Sequence, residues 1–345
     1  MVLCIKQFNK FHDNIRLLEE NEVLKEKRDI IINTIKNNLP KETSKSFTIF
    51  TQGSYAMHTG IKPLDNDYDI DVGLYFDISK EDIKPVQAKQ WILNAVEGHT
   101  KDVKMKNPCI TVAYAAGYHV DITVYAAENA DGKVYLAKGK PTSNGEDKCW
   151  EESNPKDLIK EIRDHLSDSE DRKQFRRIIR YLKRWKDEKL IKGNGRPTGI
   201  ALTSCAYNWF AVEKDVDPFS GDRTYKDLDA LIALIRQMIN GFSSEVERDE
   251  NGELNTFYRL KVELPVEPYS DLFEKMSNKQ MNTFKQKLER LLESLEEARS
   301  KEDPTDAAEI LQKQFGKDFP VPPRPTTGKR ATQKAVIPSS ESAKK

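Results

Sequence analysis

Apolar positions divide the chain into two stretches of different period. Val23, Leu24, Ile30, Ile31 and Ile35 recur near helical spacing, which predicts an amphipathic helix over residues 19–39 that Pro40 ends. A short β-prone run at 47–50 leads into Thr51-Gln52-Gly53-Ser54. Over 69–76 apolar and polar residues alternate, so a strand there sends Ile70 and Val72 to one face and Asp69 and Asp71 to the other. Residues 85–96 read as a helix over that sheet, and 103–115 and 119–125 as further strands. Together these segments predict a mixed sheet with helices outside it.

Beyond about residue 155 the period is helical. Residues 155–166, 169–190, 203–212, 225–240 and 281–299 read as helices, with Leu166-Ser-Asp-Ser as a capping break between the first two. The expected organisation is an α+β core over 1–150, including the N-terminal helix, and a helical domain over 151–324. They join through 139–152, a Gly-, Lys-, Asn- and Asp-rich stretch that suits a solvated loop. Residues 325–345 lack any period and are expected to form a disordered basic tail.

A chain of 345 residues can bury one large core or two modest ones. Its 56 basic and 56 acidic residues cancel, but from Pro320 onward six Lys or Arg face the single Glu341, so the body is mildly acidic. That balance argues against stable coating of duplex nucleic acid. Cys4, Cys109, Cys149 and Cys205 are far apart and have no metal-ligand spacing, which fits free thiols in a reduced compartment. The start lacks the basic flank of a signal peptide, and no apolar stretch approaches membrane-spanning length. The expected location is the cytoplasm, with no membrane partner.

The candidate chemistry lies in the carboxylates. Asp69 and Asp71 leave one face of one strand and repel unless a cation lies between them. Oxygen ligands of this kind suit Mg²⁺ shared with substrate phosphates. In a two-metal site one ion lowers the pKa of an attacking hydroxyl while the other neutralises a leaving pyrophosphate. In His119-Val-Asp-Ile-Thr-Val the same alternation exposes Asp121, a third ligand if its strand neighbours the first. Asp65 and Asp67 precede the alternation and read as an acidic turn. Gly53-Ser54 offers close backbone approach, an N–H and a hydroxyl to a phosphate. Lys62 and His119 are weaker candidates, and no His or Cys cluster suggests zinc. Arg176, Arg180 and Lys183 share one side of the basic helix and could face a triphosphate, although a solvated basic face explains most such residues.

Gly53-Ser-Tyr-Ala-Met, Asp67-Tyr-Asp-Ile-Asp-Val-Gly and the lone Asp121 resemble the polymerase-β-type nucleotidyltransferase superfamily. With Arg177-Ile-Ile-Arg-Tyr-Leu-Lys-Arg-Trp, Gly199-Ile-Ala-Leu-Thr-Ser and Leu264-Pro-Val-Glu-Pro added, the chain resembles the bacterial cGAS/DncV-like nucleotidyltransferases (CD-NTases) over nearly its whole folded length. The resemblance implies a polymerase-β-like mixed sheet packed on a helical OAS/cGAS-like domain. It also implies a cyclic oligonucleotide synthase that uses two Mg²⁺ ions, or Mn²⁺, to join nucleoside triphosphates including ATP or GTP. Asp69, Asp71 and Asp121 would hold the metals. Gly53, Ser54, Lys183 and Ser204, the last replaceable by Thr203, would bind the triphosphate. A downstream effector and an accessory regulatory protein in anti-phage defence belong to the same implication. The alternative is nucleotidyl transfer to another acceptor, namely an RNA 3′ end, a small molecule or a protein.

Overall fold

Two strands running parallel at the centre of one sheet set the layout of the first half. The computed structural model describes residues 4–191, 193, 195–248 and 253–324, and the expected basic tail lies outside them. Helices α1 (Ile5–Ile15) and α2 (Glu19–Asn38) precede β1 (Phe47–Gln52), the one-turn α3 (Gly53–Ala56) and β2 (Tyr68–Phe76). Next come α4 (Pro85–Val96), β3 (Asp102–Met105), β4 (Ile110–Tyr114), β5 (Tyr118–Ala126), β6 (Tyr135–Ala137) and β7 (Trp150–Glu152). The sheet order is β1-β2-β5-β4-β3, with β6 paired to β5 and β7 to β6. Among the described strands of this sheet β2 and β5 alone pair in parallel; the other pairs are antiparallel.

The alternation read from the sequence decides which face is core. Ile70, Val72, Leu74, Val120, Ile122 and Val124 are fully buried against Leu24, Ile31 and Ile35 of α2 and Ala88 and Ile92 of α4. A 3-10 turn at Leu39–Lys41, with Pro40 inside it, stops α2 as expected. The single strand expected over 103–115 is instead the β3–β4 hairpin. Its turn contains Asn107-Pro108, and Pro108 has no N–H for a ladder. The expected loop over 139–152 ends in β7, which adds to the sheet edge.

The second half is α5 (Pro155–Asp164), α6 (Ser169–Lys189), α7 (Gly199–Trp209), the hairpin β8 (Lys214–Val216) and β9 (Arg223–Tyr225), and α8 (Asp227–Asn240). The hairpin β10 (Phe242–Arg248) and β11 (Leu254–Leu260) follows, then α9 (Asn278–Ser300) and α10 (Pro304–Phe315). None of the described helices is long and apolar enough to cross a membrane. Asp168 caps α6 by accepting from the N–H groups of Glu170 and Asp171, the break anticipated at Leu166-Ser-Asp-Ser. α7 begins four residues before the expected 203, because Thr198 caps it by accepting from the Ala201 N–H.

α6 is the spine of this half. Phe175, Ile178, Ile179, Tyr181, Leu182 and Trp185 are buried along it. Arg177 makes a two-pronged pair with Asp227 at 2.6 and 2.7 Å, and the Tyr181 hydroxyl donates to the same carboxylate at 3.0 Å. α1, although it precedes the sheet in sequence, packs into this second core: Phe11 stacks on Tyr181 at 5.1 Å, and Phe8 meets Phe319 at 5.2 Å. The other side of α6 ties the two halves together. Arg180 donates to the carbonyls of His58 and Gly60, Lys183 to that of Thr59 and Arg184 to that of Lys62.

Because Phe11 is fully buried among Tyr181, Phe315 and Phe319, Phe11→Ala should lower stability by about 3–5 kcal/mol in urea denaturation. A loss below about 1 kcal/mol would show that α1 is peripheral to the helical core.

Candidate active site

Register places four polar side chains in one row across the sheet. Gln52 of β1 lies opposite Asp71 of β2, Asp71 opposite Asp121 of β5, and Asp121 opposite Thr111 of β4. Their neighbours Ile70, Val72, Val120 and Ile122 point into the core, so the row leaves the face turned to the helical half. Asp69 stands one step along β2, opposite His119. The three carboxylates singled out in the sequence therefore emerge on the same face of adjacent strands. Two of the four are braced by the sheet itself. The Thr111 hydroxyl donates to Asp121, while the Gln52 amide donates to Thr123 and accepts from the Tyr125 hydroxyl, both at 2.9 Å.

Gly53 is required by a carboxylate as much as by any phosphate. Its φ is +66°, and a Cβ built on it would lie 1.8 Å from Oδ2 of Asp71. The turn after β1 thus presses its bare backbone onto Asp71. Ser54 follows at the wall of the cleft.

The carboxylates repel one another. Burial, then Asp121 and Asp69, pushes the Asp71 carboxyl up to about 7. Asp69 rises to about 6 through desolvation, then Asp121 and Asp67, although its side chain is 60% exposed at the cleft mouth. Desolvation by water-facing cleft walls is weaker than true burial, so Asp71 is the more strained of the two. Across the cleft Lys183 is buried and pulled down to about 7 by desolvation, then by Lys186 and Arg180. Its ammonium donates to the Thr59 carbonyl at 3.0 Å and to the Thr59 hydroxyl at 2.9 Å.

A cavity of about 540 Å³ separates these groups, with Gly53, Ser54, Asp69, Asp71 and Asp121 on the sheet side and Lys183, Gly199 and Thr203 on the helical side. Ser204 does not reach it. That residue is fully buried, and its hydroxyl has no hydrogen-bond partner among the described residues. Thr203, one position earlier, lines the cavity, with its hydroxyl donating to the Gly199 carbonyl at 2.8 Å. Lys62 is paired with Glu20 at 3.0 Å, and Tyr181 and Trp185 are core residues. From the sequence, Asp67 reads as part of an acidic turn and His119 as a weaker candidate outside any His or Cys cluster. The fold brings both to Asp69, with His119 Nδ1 at 3.0 Å from Asp67 and 3.6 Å from Asp69. Only the parallel register of β2 and β5 reveals that cluster.

This donor set fits a divalent cation. The candidate donors Asp69, Asp71 and Asp121 offer carboxylate oxygens, as Mg²⁺ prefers, and Asp69 and Asp71 carry raised pKa values that a bound cation would reverse.

Comparison with known proteins agrees with the geometry. Residues 47–125 match the family model of the cyclic GMP-AMP synthase DncV-like nucleotidyltransferase domain, and residues 172–322 that of the cyclic GMP-AMP synthase C-terminal domain. A cyclic GMP-AMP synthase of Escherichia albertii is 30% identical over 169 residues, covering 46% of this chain. The aligned part spans only 36% of that relative's length. Among solved structures, a mutant form of the Vibrio cholerae di-nucleotide cyclase DncV in complex with ATP, GTP and 5MTHFGLU2 gives a TM-score of 0.68 at 18% identity, covering 92% of this chain and 96% of that one. The Bradyrhizobium diazoefficiens CD-NTase CdnG in complex with GTP gives 0.66 at 18% identity, covering 91% and 95%. At these identities the structural likeness shows a shared fold.

The pKa shifts carry a sign that can be checked. Asp69 and Asp71 bind protons more tightly folded than unfolded, where an aspartate titrates near about 3.9. In EDTA their contribution is therefore fully present below pH ~4 and lost as pH rises through about 6 and 7. Asp71→Asn should flatten much of that decline in urea midpoint and make the metal-free protein more stable than wild type above pH ~7. An unchanged slope with lower stability at every pH would contradict the assigned strain.

Proposed function

The chain belongs to the DncV-like cyclic GMP-AMP synthase family of nucleotidyltransferases, and on that premise we propose that it condenses nucleoside triphosphates into a cyclic di- or trinucleotide with release of pyrophosphate. The observation that carries this reading is the row of Asp71 and Asp121, with Asp69 and Ser54 on the same side, facing Lys183 across one cavity. Both named relatives of known structure contain nucleoside triphosphates, ATP and GTP in one and GTP in the other.

Asp69, Asp71 and Asp121 would hold two divalent cations, Mg²⁺ or Mn²⁺. Bound there, the ions would lower the pKa of an attacking hydroxyl and offset charge on the triphosphate. The chain's own groups supply the rest. An ammonium has three N–H donors; two of those on Lys183 go to Thr59, which leaves one for a phosphate oxygen. A triphosphate in the cavity would also draw the Lys183 pKa back up and keep it charged. Ser54 offers its hydroxyl from the sheet side, and Thr203, rather than the buried Ser204, offers one from α7. The acceptor's ribose hydroxyl attacks the α-phosphorus, a new P–O bond forms, and the bond to pyrophosphate breaks. The hydroxyl proton passes to solvent, and a second transfer of the same kind closes the ring. No covalent bond to the enzyme is needed.

In this proposal the product is a second messenger of anti-phage defence. A downstream effector senses it, and an accessory regulatory protein controls its synthesis. ATP or GTP is among the substrates.

Incubation with labelled ATP, GTP, CTP and UTP and Mg²⁺, without added polymer, should give short phosphatase-resistant products. Asp71→Asn and Asp121→Asn should each reduce synthesis by about a hundredfold or more without unfolding the protein. Products seen only when RNA, a small molecule or a protein acceptor is added would reassign the reaction.

Lys183→Met should raise the nucleotide KM by about tenfold to a hundredfold, the value of a charge-assisted hydrogen bond. Thr203→Val should raise it more than Ser204→Ala. The reverse order would place the second hydroxyl ligand at Ser204.

A further inference from the structure

Two features at opposite ends of α6 complement each other. At its first turn the β8–β9 hairpin is fastened by Asp171, which accepts from Lys214 and from the Tyr225 hydroxyl at 2.6 Å, and by Asp168, which pairs with Arg223 at 2.7 Å. The hairpin tip is locked as well. Asp217 Oδ1 accepts from the N–H groups of Phe219 and Ser220 at 2.8 and 2.9 Å, and the Asp217 carbonyl accepts from the Gly221 N–H at 2.9 Å. This ordered turn holds Phe219 in water at 99% exposure, between Asp217 and Asp222. A solitary surface hydrophobe is ordinary, but one carried on a braced turn loses less backbone freedom when a partner buries it.

At the other end of α6 lies a cavity of about 280 Å³ lined by the apolar Leu190 and Phe284 and by four cations, Lys189, Arg196, Lys279 and Lys287. None of the described lining residues is acidic, although Arg196 is also 3.4 Å from Asp187 outside the cavity. An apolar floor with a basic rim is the complement of an aromatic side chain flanked by aspartates. From Asp171 to Lys189 the helix rises by about 27 Å, so a chain cannot fill its own cavity with its own hairpin.

We infer that the Phe219 hairpin of one copy inserts into the basic cavity of a second copy, so that the protein associates head to tail along the direction of α6. Such a contact is heterologous and leaves a free hairpin at one end and a free cavity at the other, so assembly continues with concentration. Its rim charges are partly or fully open to solvent, so salt weakens it. Neither feature belongs to the catalytic cleft.

Sedimentation velocity across a concentration series at low salt tests this. Wild type should exceed the mass of one chain, increasingly so with concentration, and return toward one chain in high salt. Phe219→Ser, which keeps the cavity, and the double variant Lys279→Glu/Lys287→Glu, which keeps the hairpin, should each remain single chains with unchanged circular dichroism. Mixed together, they should form a one-to-one pair and grow no further. A wild type that stays a single chain up to its solubility limit overturns the inference. So does a Phe219→Ser variant that associates like wild type, or a mixture of the two folded variants that fails to pair.

Discussion

The parallel pairing of β2 with β5 is the constraint on which the site depends. It sets Asp71 beside Asp121 on a face that the alternation of Ile70, Val72, Val120 and Ile122 forces away from the core. A slip of one residue in either strand would send that strand's carboxylates into the apolar layer under α2 and α4, at a cost no pairing there could offset. Core packing thus holds like charges together, and burial first, then their repulsion, raises the pKa values of Asp69 and Asp71. A cation between these carboxylates would offset that repulsion.

The second requirement is that something face those carboxylates at a fixed distance. α6 provides it. One side of the helix is buried in the second core, while Arg180, Lys183 and Arg184 reach the carbonyls of 58–62, the segment that leads from α3 toward β2. The contacts that join the halves of the molecule therefore also place Lys183 across from Asp71. Changes in α6 should act on stability and nucleotide affinity together.

Much of the site could be read from residue pattern because its geometry is periodic. Period-two alternation was enough to put Asp69, Asp71 and Asp121 on exposed faces, and Pro40 and Asp168 marked helix ends by local chemistry. What escaped depended on partners distant in sequence. The cations of α6 looked like a solvated face because backbone carbonyl acceptors leave no trace in a sequence. Asp67 meets His119 only through strand register. That Thr203 rather than Ser204 lines the cavity depends on helix phase, which the sequence left open. α1 had no counterpart in the sequence reading, and its docking on Tyr181 and Phe319 links residues far apart in the chain.

The most direct test of the account is anomalous diffraction from crystals grown with Mn²⁺ and a non-hydrolysable triphosphate. Manganese peaks are expected between Asp69, Asp71 and Asp121, with the triphosphate reaching Ser54 and Lys183. Manganese bound solely by Asp67 and His119, or a triphosphate seated away from Lys183, would contradict it.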